Sequence, residues 1–170
     1  MSKPTRAEEP QEWHLEVFTA DDRSQPFTAF LEKIDDFKAV ALDTALRLLL
    51  AKHGIALAGS EWLKPLGEGL HEFRVRHTAD EIARMFGGEQ DDKVAAAASH
   101  GAVLLRTFVH FHGRRIVLLL AGYDKGTDPS KRTQQKEIAA ARKLLKEFQG
   151  QQARAQKAEK GGRPRTGRGR

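Results

Sequence analysis

A chain of 170 residues has room for one domain with one modest core, and its 39% hydrophobic and 31% charged residues suit a globular body with polar appendages. It has no cysteine, which excludes disulfide scaffolds, thiolate metal sites and cysteine nucleophiles. No run nears the ~18 apolar residues of a membrane span, and no apolar stretch follows the basic residues of the N-terminus. The sequence therefore reads as a cytoplasmic protein with neither a secretory leader nor a membrane partner. The net charge of +6 is unevenly spread, at −6 over residues 1–101, +6 over 102–149 and +6 again over 151–170. A basic C-terminal third on an acidic N-terminal half points to a polyanionic partner at one end of the molecule.

In chain order, residues 1–11 are polar and are expected to be disordered. Alternation in WHLEVF (Trp13–Phe18) predicts a first strand. Ser24-Gln25-Pro26 opens a helix carrying Phe27, Phe30, Leu31 and Ile34 at helical spacing. A second helix from about Asp36 places Phe37, Val40, Ala41, Thr44 and Leu48 on one stripe, and Gly54 after Lys52 and His53 stops it. Residues 55–68 read as a connection.

LHEFRVRH (Leu70–His77) alternates cleanly, with Phe73 and Val75 on one face and Glu72, Arg74 and Arg76 on the other. Two apolar runs, Val103–Phe111 and Arg115–Tyr123, flank His112-Gly113-Arg114 as a hairpin. Asp128 caps a final helix from Pro129, with Ile138, Ala141, Leu145 and Phe148 on its inner side. The order strand, two helices, three strands, helix predicts a small α+β domain over residues 12–149 with an antiparallel sheet. Residues 77–102 form an insertion, opened by the capping box Thr78-Ala79-Asp80-Glu81 and a short helix. Residues 150–170 read as a disordered basic tail.

Several chemistries fall away on pattern. His110 and His112 share one strand face, but no HExxH or other metal-ligand spacing accompanies them, so no metal and no cofactor is expected. Ser60 sits in AGSEW, which is not a nucleophile elbow, and the Asp21-Asp22, Asp35-Asp36 and Asp91-Asp92 pairs fall at loops or helix ends. The basic residues on strands are different. Arg106 interrupts an apolar run, and an arginine there needs a partner or a cleft. If the strands pair as hairpins, Arg74, Arg106, Tyr123 and Lys125 meet on one sheet face and offer guanidinium forks for phosphate. The alternative left open by the pattern is that Arg74 and Arg106 pair with Glu72 and other acids.

The segment Leu63-Lys64-Pro65-Leu66-Gly67-Glu68-Gly69-Leu70-His71-Glu72-Phe73-Arg74 resembles the K-x-L…GL-x-E-[LF]-R stretch of the RelE/ParE toxin superfamily, in its HigB-like, phage-derived branch. Leu105-Arg106-Thr107-Phe108, the run Ile116 to Lys125, Thr127-Asp128-Pro129 and Glu137 to Ala141 are similar to later motifs of that family, in the same order. The chain departs from the family at Gly126, where a second lysine is common, at Ala121, where histidine is common, and in the length of its insertion.

The resemblance implies the toxin of a type II toxin–antitoxin pair, a metal-independent mRNA endonuclease acting free or on the ribosome to inhibit translation. It implies a cognate antitoxin, commonly of helix-turn-helix type, and no cofactor. Arg74 and Arg106 would hold the scissile phosphate, Lys125 would add charge, and Tyr123 would stack on a base or orient the 2′-hydroxyl. Lys64, His110 and His112 are weaker catalytic candidates, and Arg76, Lys131, Arg132, Arg163, Arg165 and Arg168 are the expected RNA contacts. On this reading Arg74→Ala and Arg106→Ala each reduce cleavage by ~10²–10³-fold while the chain stays folded. The competing readings are a non-cleaving toxin of the same fold, like the gyrase inhibitors, and an RNA- or ribosome-binding protein without catalysis.

Overall fold

The computed structural model describes residues 11–87 and 101–161. The N-terminal 1–10, the insertion from 88 to 100, and the expected RNA contacts Arg163, Arg165 and Arg168 lie outside the described residues. The elements run β1 (His14–Val17), α1 (Pro26–Lys33), α2 (Asp36–Ala45), a wide helical turn (Leu46–Leu50), α3 (Ala51–His53), a 3-10 turn (Gly54–Leu57), β2 (Leu63–Gly67), β3 (Leu70–Val75), α4 (Ala79–Phe86), β4 (Leu105–His112), β5 (Ile116–Asp124) and α5 (Lys131–Gly161).

The five strands form one sheet in the order β1-β5-β4-β3-β2. The fold is α+β as expected, but the sheet is mixed, because β1 runs parallel to β5 while the other neighbours are antiparallel. Alternation in a sequence reports which face a residue occupies and not which strand lies beside it, so the direction of β1 was not legible. The fifth strand, β2, lies in what reads as a connection. It holds Pro65 and a register shift between Pro65 and Gly67, features that an edge strand tolerates because one side of it has no ladder to break.

Both faces of the sheet are covered. On one, Phe27, Phe30, Leu42, Leu49, Leu50 and Ile82 from the helices pack on Phe73, Val75, Leu105, Val109, Val117 and Leu119. On the other, Ala141, Leu145 and Phe148 of α5 pack on Leu70, Phe108, Leu118, Leu120 and Tyr123, together with Phe18. This double coverage explains why β4 and β5 read as near-continuous apolar runs. The stripe along the second helix differs from the sequence expectation. Leu42, Ala45 and Leu49 are buried beside Ala41 and Thr44, while Leu48 is only half-buried. The wide turn at Leu46–Leu50 adds a residue to one helical turn and rotates the stripe.

Local signals fared better. Thr78 Oγ1 accepts from the Glu81 backbone N–H at 3.3 Å and α4 ends on Gly87 in the left-handed conformation, so the N-cap half of the capping box is formed, while the Glu81 carboxylate accepts from the Thr78 hydroxyl at 3.2 Å. At α5 the first helical residue is Lys131. Ser130 caps it by accepting from the Thr133 N–H at 3.2 Å, while Asp128 braces the cap by accepting from the Thr133 hydroxyl at 2.6 Å. The helix then passes through Gly150 and continues to Gly161, which corrects the expectation of a disordered tail from residue 150. A lone glycine costs a helix only about 1 kcal/mol, and the Gln, Ala, Arg, Lys and Glu that follow are good helix formers.

Gly54 illustrates the tightest backbone demand. Its φ of +51° and ψ of −131° suit glycine alone, and a Cβ there would lie 2.2 Å from the Trp13 ring. Gly54→Ala is expected to destabilise the chain by at least about 2–3 kcal/mol through strain and overpacking, read as a lower urea midpoint at unchanged slope.

Candidate nucleic-acid interface

Strand register sets the site. Arg74 of β3 stands directly across from Arg106 of β4, and Arg106 directly across from Tyr123 of β5. Residues paired in this way project from the same face, here the face that carries Phe108 and receives α5. One step along, Lys64, Glu72 and Phe108 form the adjoining row. Lys125 follows the end of β5, where its backbone N–H donates to the Leu104 carbonyl at 2.9 Å. The sequence-predicted residues Arg74, Arg106, Tyr123 and Lys125 are thus brought to one end of one sheet face. Arg76, two residues beyond Arg74 and exposed, lies within electrostatic reach of Arg106 and Lys125.

Two arginines directly opposite each other repel unless an anion lies between them. Glu72 is that anion. It is fully buried, and its Oε1 accepts from Arg74 Nε at 2.9 Å and lies 3.6 Å from Arg106 Nε. Both arginines pair with Glu72, as the plainer sequence alternative had it, and yet they also gather with Tyr123 and Lys125. Arg106 is only 2% exposed, whereas the Arg74 side chain is 19% exposed and is the more open of the two. Glu72 Oε2, Arg106 Nε and the Tyr123 hydroxyl are buried without a hydrogen-bond partner among the described residues. The Tyr123 ring stacks on Phe108 at 6.0 Å between centroids and 13° between planes.

Burial dominates the titration behaviour of this row. It pushes the Tyr123 phenol up, with the Glu72 charge adding to the effect. It pushes the Lys125 ammonium down, reinforced by the Arg106 guanidinium. Arg106 is also lowered by burial, opposed by Glu72, and stays charged because its ordinary value lies so high. A phenol and three basic side chains therefore share this end of the sheet with the Glu72 carboxylate.

The histidines belong to a different place on the same face. His110 lies four residues from Arg106, about 13 Å along the strand, and Phe108 stands between them. His110 and His112 stack on each other at 6.0 Å and lean on Phe148 of α5, and His110 Nδ1 bonds to the Gly69 carbonyl at 2.7 Å. They pack the helix and do not join the arginine row. Lys64 is exposed on the edge strand, and Lys131 and Arg132 are exposed at the start of α5. Among the described residues, no three His, Asp or Glu side chains gather as they would to hold a metal ion. Among them also, no helix is long and apolar enough to cross a membrane.

His112 and His71 are both held below the usual histidine value of 6.5 by burial, His112 also by the neighbouring His110, against a small opposing effect of Glu16. The unfolded chain then binds more protons than the folded one below pH 6.5. This contribution to stability is complete above pH 6.5 and is lost as the pH falls toward the depressed folded values. The urea midpoint is expected to drop between about pH 7 and 5, and His112→Phe is expected to flatten part of that drop.

The sequence marks Glu72 as the alternative partner of Arg74 and Arg106, but not its full burial, which comes from the covering of both sheet faces. One residue escapes the sequence reading altogether. Arg142 of α5 donates to the Leu66 carbonyl at 2.7 Å and to the Gly67 carbonyl at 3.3 Å, fastening the helix to the β2–β3 turn. No short-range pattern marks it. Compared with family models, curated proteins and solved structures, the chain has no match.

Proposed function

We propose that this chain is a metal-independent endoribonuclease, the toxin of a toxin–antitoxin pair, with the Arg74–Arg106–Tyr123 row and Lys125 as its active site. The cross-strand register carries the reading, since it aligns two guanidinia and a phenol that a phosphodiester cleavage needs together. The RNA's own 2′-hydroxyl gives up its proton to solvent and attacks the adjacent phosphorus, the bond to the 5′-oxygen breaks as that oxygen takes a proton from solvent, and the products are a 2′,3′-cyclic phosphate and a 5′-hydroxyl. Arg74, the more open guanidinium, contacts the phosphate, while Arg106 and Lys125 add fixed positive charge where negative charge grows. The Tyr123 ring is stacked on Phe108 and its hydroxyl is buried, so it supports the arginine row from within rather than stacking on a base or touching the 2′-hydroxyl. An antitoxin, mRNA and the ribosome are the partners that the family resemblance implies.

The basic C-terminal helix supports an RNA partner independently of the row. Residues 131–161 carry nine Lys/Arg against three Glu, and the helix is exposed from Gln152 onward. One observation favours a second reading, RNA or ribosome binding without cleavage: Arg106 is nearly sealed and both arginines already share a carboxylate. Incubating the purified chain with single-stranded RNA in excess chelator separates the two. Fragments ending in 5′-hydroxyl are the expected result. Salt-sensitive binding with intact RNA establishes the second reading instead.

A further inference from the structure

We propose that Glu72 is the positioning residue of this site, holding Arg74 and Arg106 at the geometry that receives the phosphate; the proposal rests on the RNA-cleaving reading above. Three observations carry it. Arg74 and Arg106 face each other across the β3–β4 ladder, an arrangement that like charges oppose. Glu72 Oε1 accepts a hydrogen bond from Arg74 Nε at 2.9 Å and lies at ion-pair distance, 3.6 Å, from Arg106 Nε, so one carboxylate oxygen serves two guanidinia. Glu72 Oε2 is buried with no hydrogen-bond partner among the described residues, although a second oxygen on a sealed carboxylate is normally satisfied.

The Glu72 carboxylate sits beside two cations with one of its oxygens unpaired among the described residues. Here it offsets the mutual repulsion of the arginines and leaves the remaining Arg74 donors directed by a fixed anchor. Because Glu72 is fully buried and Arg74 partly open, the phosphate meets Arg74 while Glu72 acts from behind it. A donor held in place before the substrate arrives costs no reorganisation in the transition state. Removing the negative charge should therefore weaken the catalytic step and leave attraction for the RNA intact.

The test measures RNA cleavage by wild type, Glu72→Asp, Glu72→Gln, Arg74→Ala and the Glu72→Gln/Arg74→Ala double variant, each shown folded by circular dichroism at the assay temperature. The expected order of kcat is wild type, then E72D, then E72Q, with E72Q down at least tenfold and KM for RNA unchanged or lower. E72Q should cost less once Arg74 is absent, because only its hold on Arg106 then remains to be lost. If E72Q does not fold, E72D carries the comparison on its own. Wild-type kcat in the folded Glu72 variant, or losses from E72Q and R74A that multiply independently, overturns the proposal while leaving the nuclease reading in place. A wild type that neither binds nor cuts RNA overturns both.

Discussion

Arg106→Ala is expected to destabilise the domain by about 3 kcal/mol, at the low end of the ~3–5 kcal/mol lost when one partner of a buried ion pair is removed. Arg106 is among the largest fully buried side chains, and its loss leaves the sealed Glu72 carboxylate with Arg74 alone while opening a cavity beside Phe108 and Tyr123. The residual 2.9 Å bond from Arg74 holds the cost to the low end. Urea unfolding at pH 7 measures it. A loss below about 1 kcal/mol contradicts the placement of Arg106, since that is the range of exposed pairs. This outcome differs from the sequence-based expectation that Arg106→Ala spares the fold, and burial is the reason. A cleavage defect in that variant accordingly says little about catalysis, and Arg106→Lys, which keeps the charge, is the more informative change.

Arg74→Ala is expected to reduce RNA cleavage by about 10²–10³-fold, the usual effect of removing one preorganised transition-state donor. Its effect on stability should stay near 1–2 kcal/mol, because its side chain is partly open and Arg106 remains beside Glu72. The two arginines therefore separate experimentally. One is read mainly in unfolding and the other mainly in turnover, although they are direct cross-strand neighbours. Cleavage unchanged in a folded Arg74→Ala protein removes this residue from the site.

The residues differ in how much of this arrangement they reveal before folding. Glu72, Arg74 and Arg76 alternate with Phe73 and Val75, so their common face followed from a period of two. The hairpin at His112-Gly113-Arg114 set the β4–β5 register next to the turn, but Arg106 meets Tyr123 only because the register shifts between Phe108 and Val109; the hairpin register alone would place Arg106 across from Gly122. The capping box at Thr78 was equally legible because its bonds span three residues. What did not appear locally was anything decided by distant contacts. The parallel pairing of β1 with β5, the recruitment of Leu63–Gly67 as an edge strand and the sealing of Glu72 under two covered faces all depend on long-range packing. The histidines show the same limit, since His110 and His112 share the arginines' face and still belong to a separate cluster against Phe148.

Mapping RNA 5′ ends across a cell's transcripts after brief induction, with wild type beside Arg74→Ala, tests the central claim most directly. New 5′-hydroxyl ends within coding regions for wild type, absent from the folded variant, are the predicted result, and phasing of those ends with codons places the cut on the ribosome. Growth arrest without new ends, or identical ends from both proteins, contradicts the assignment of RNA cleavage to this row.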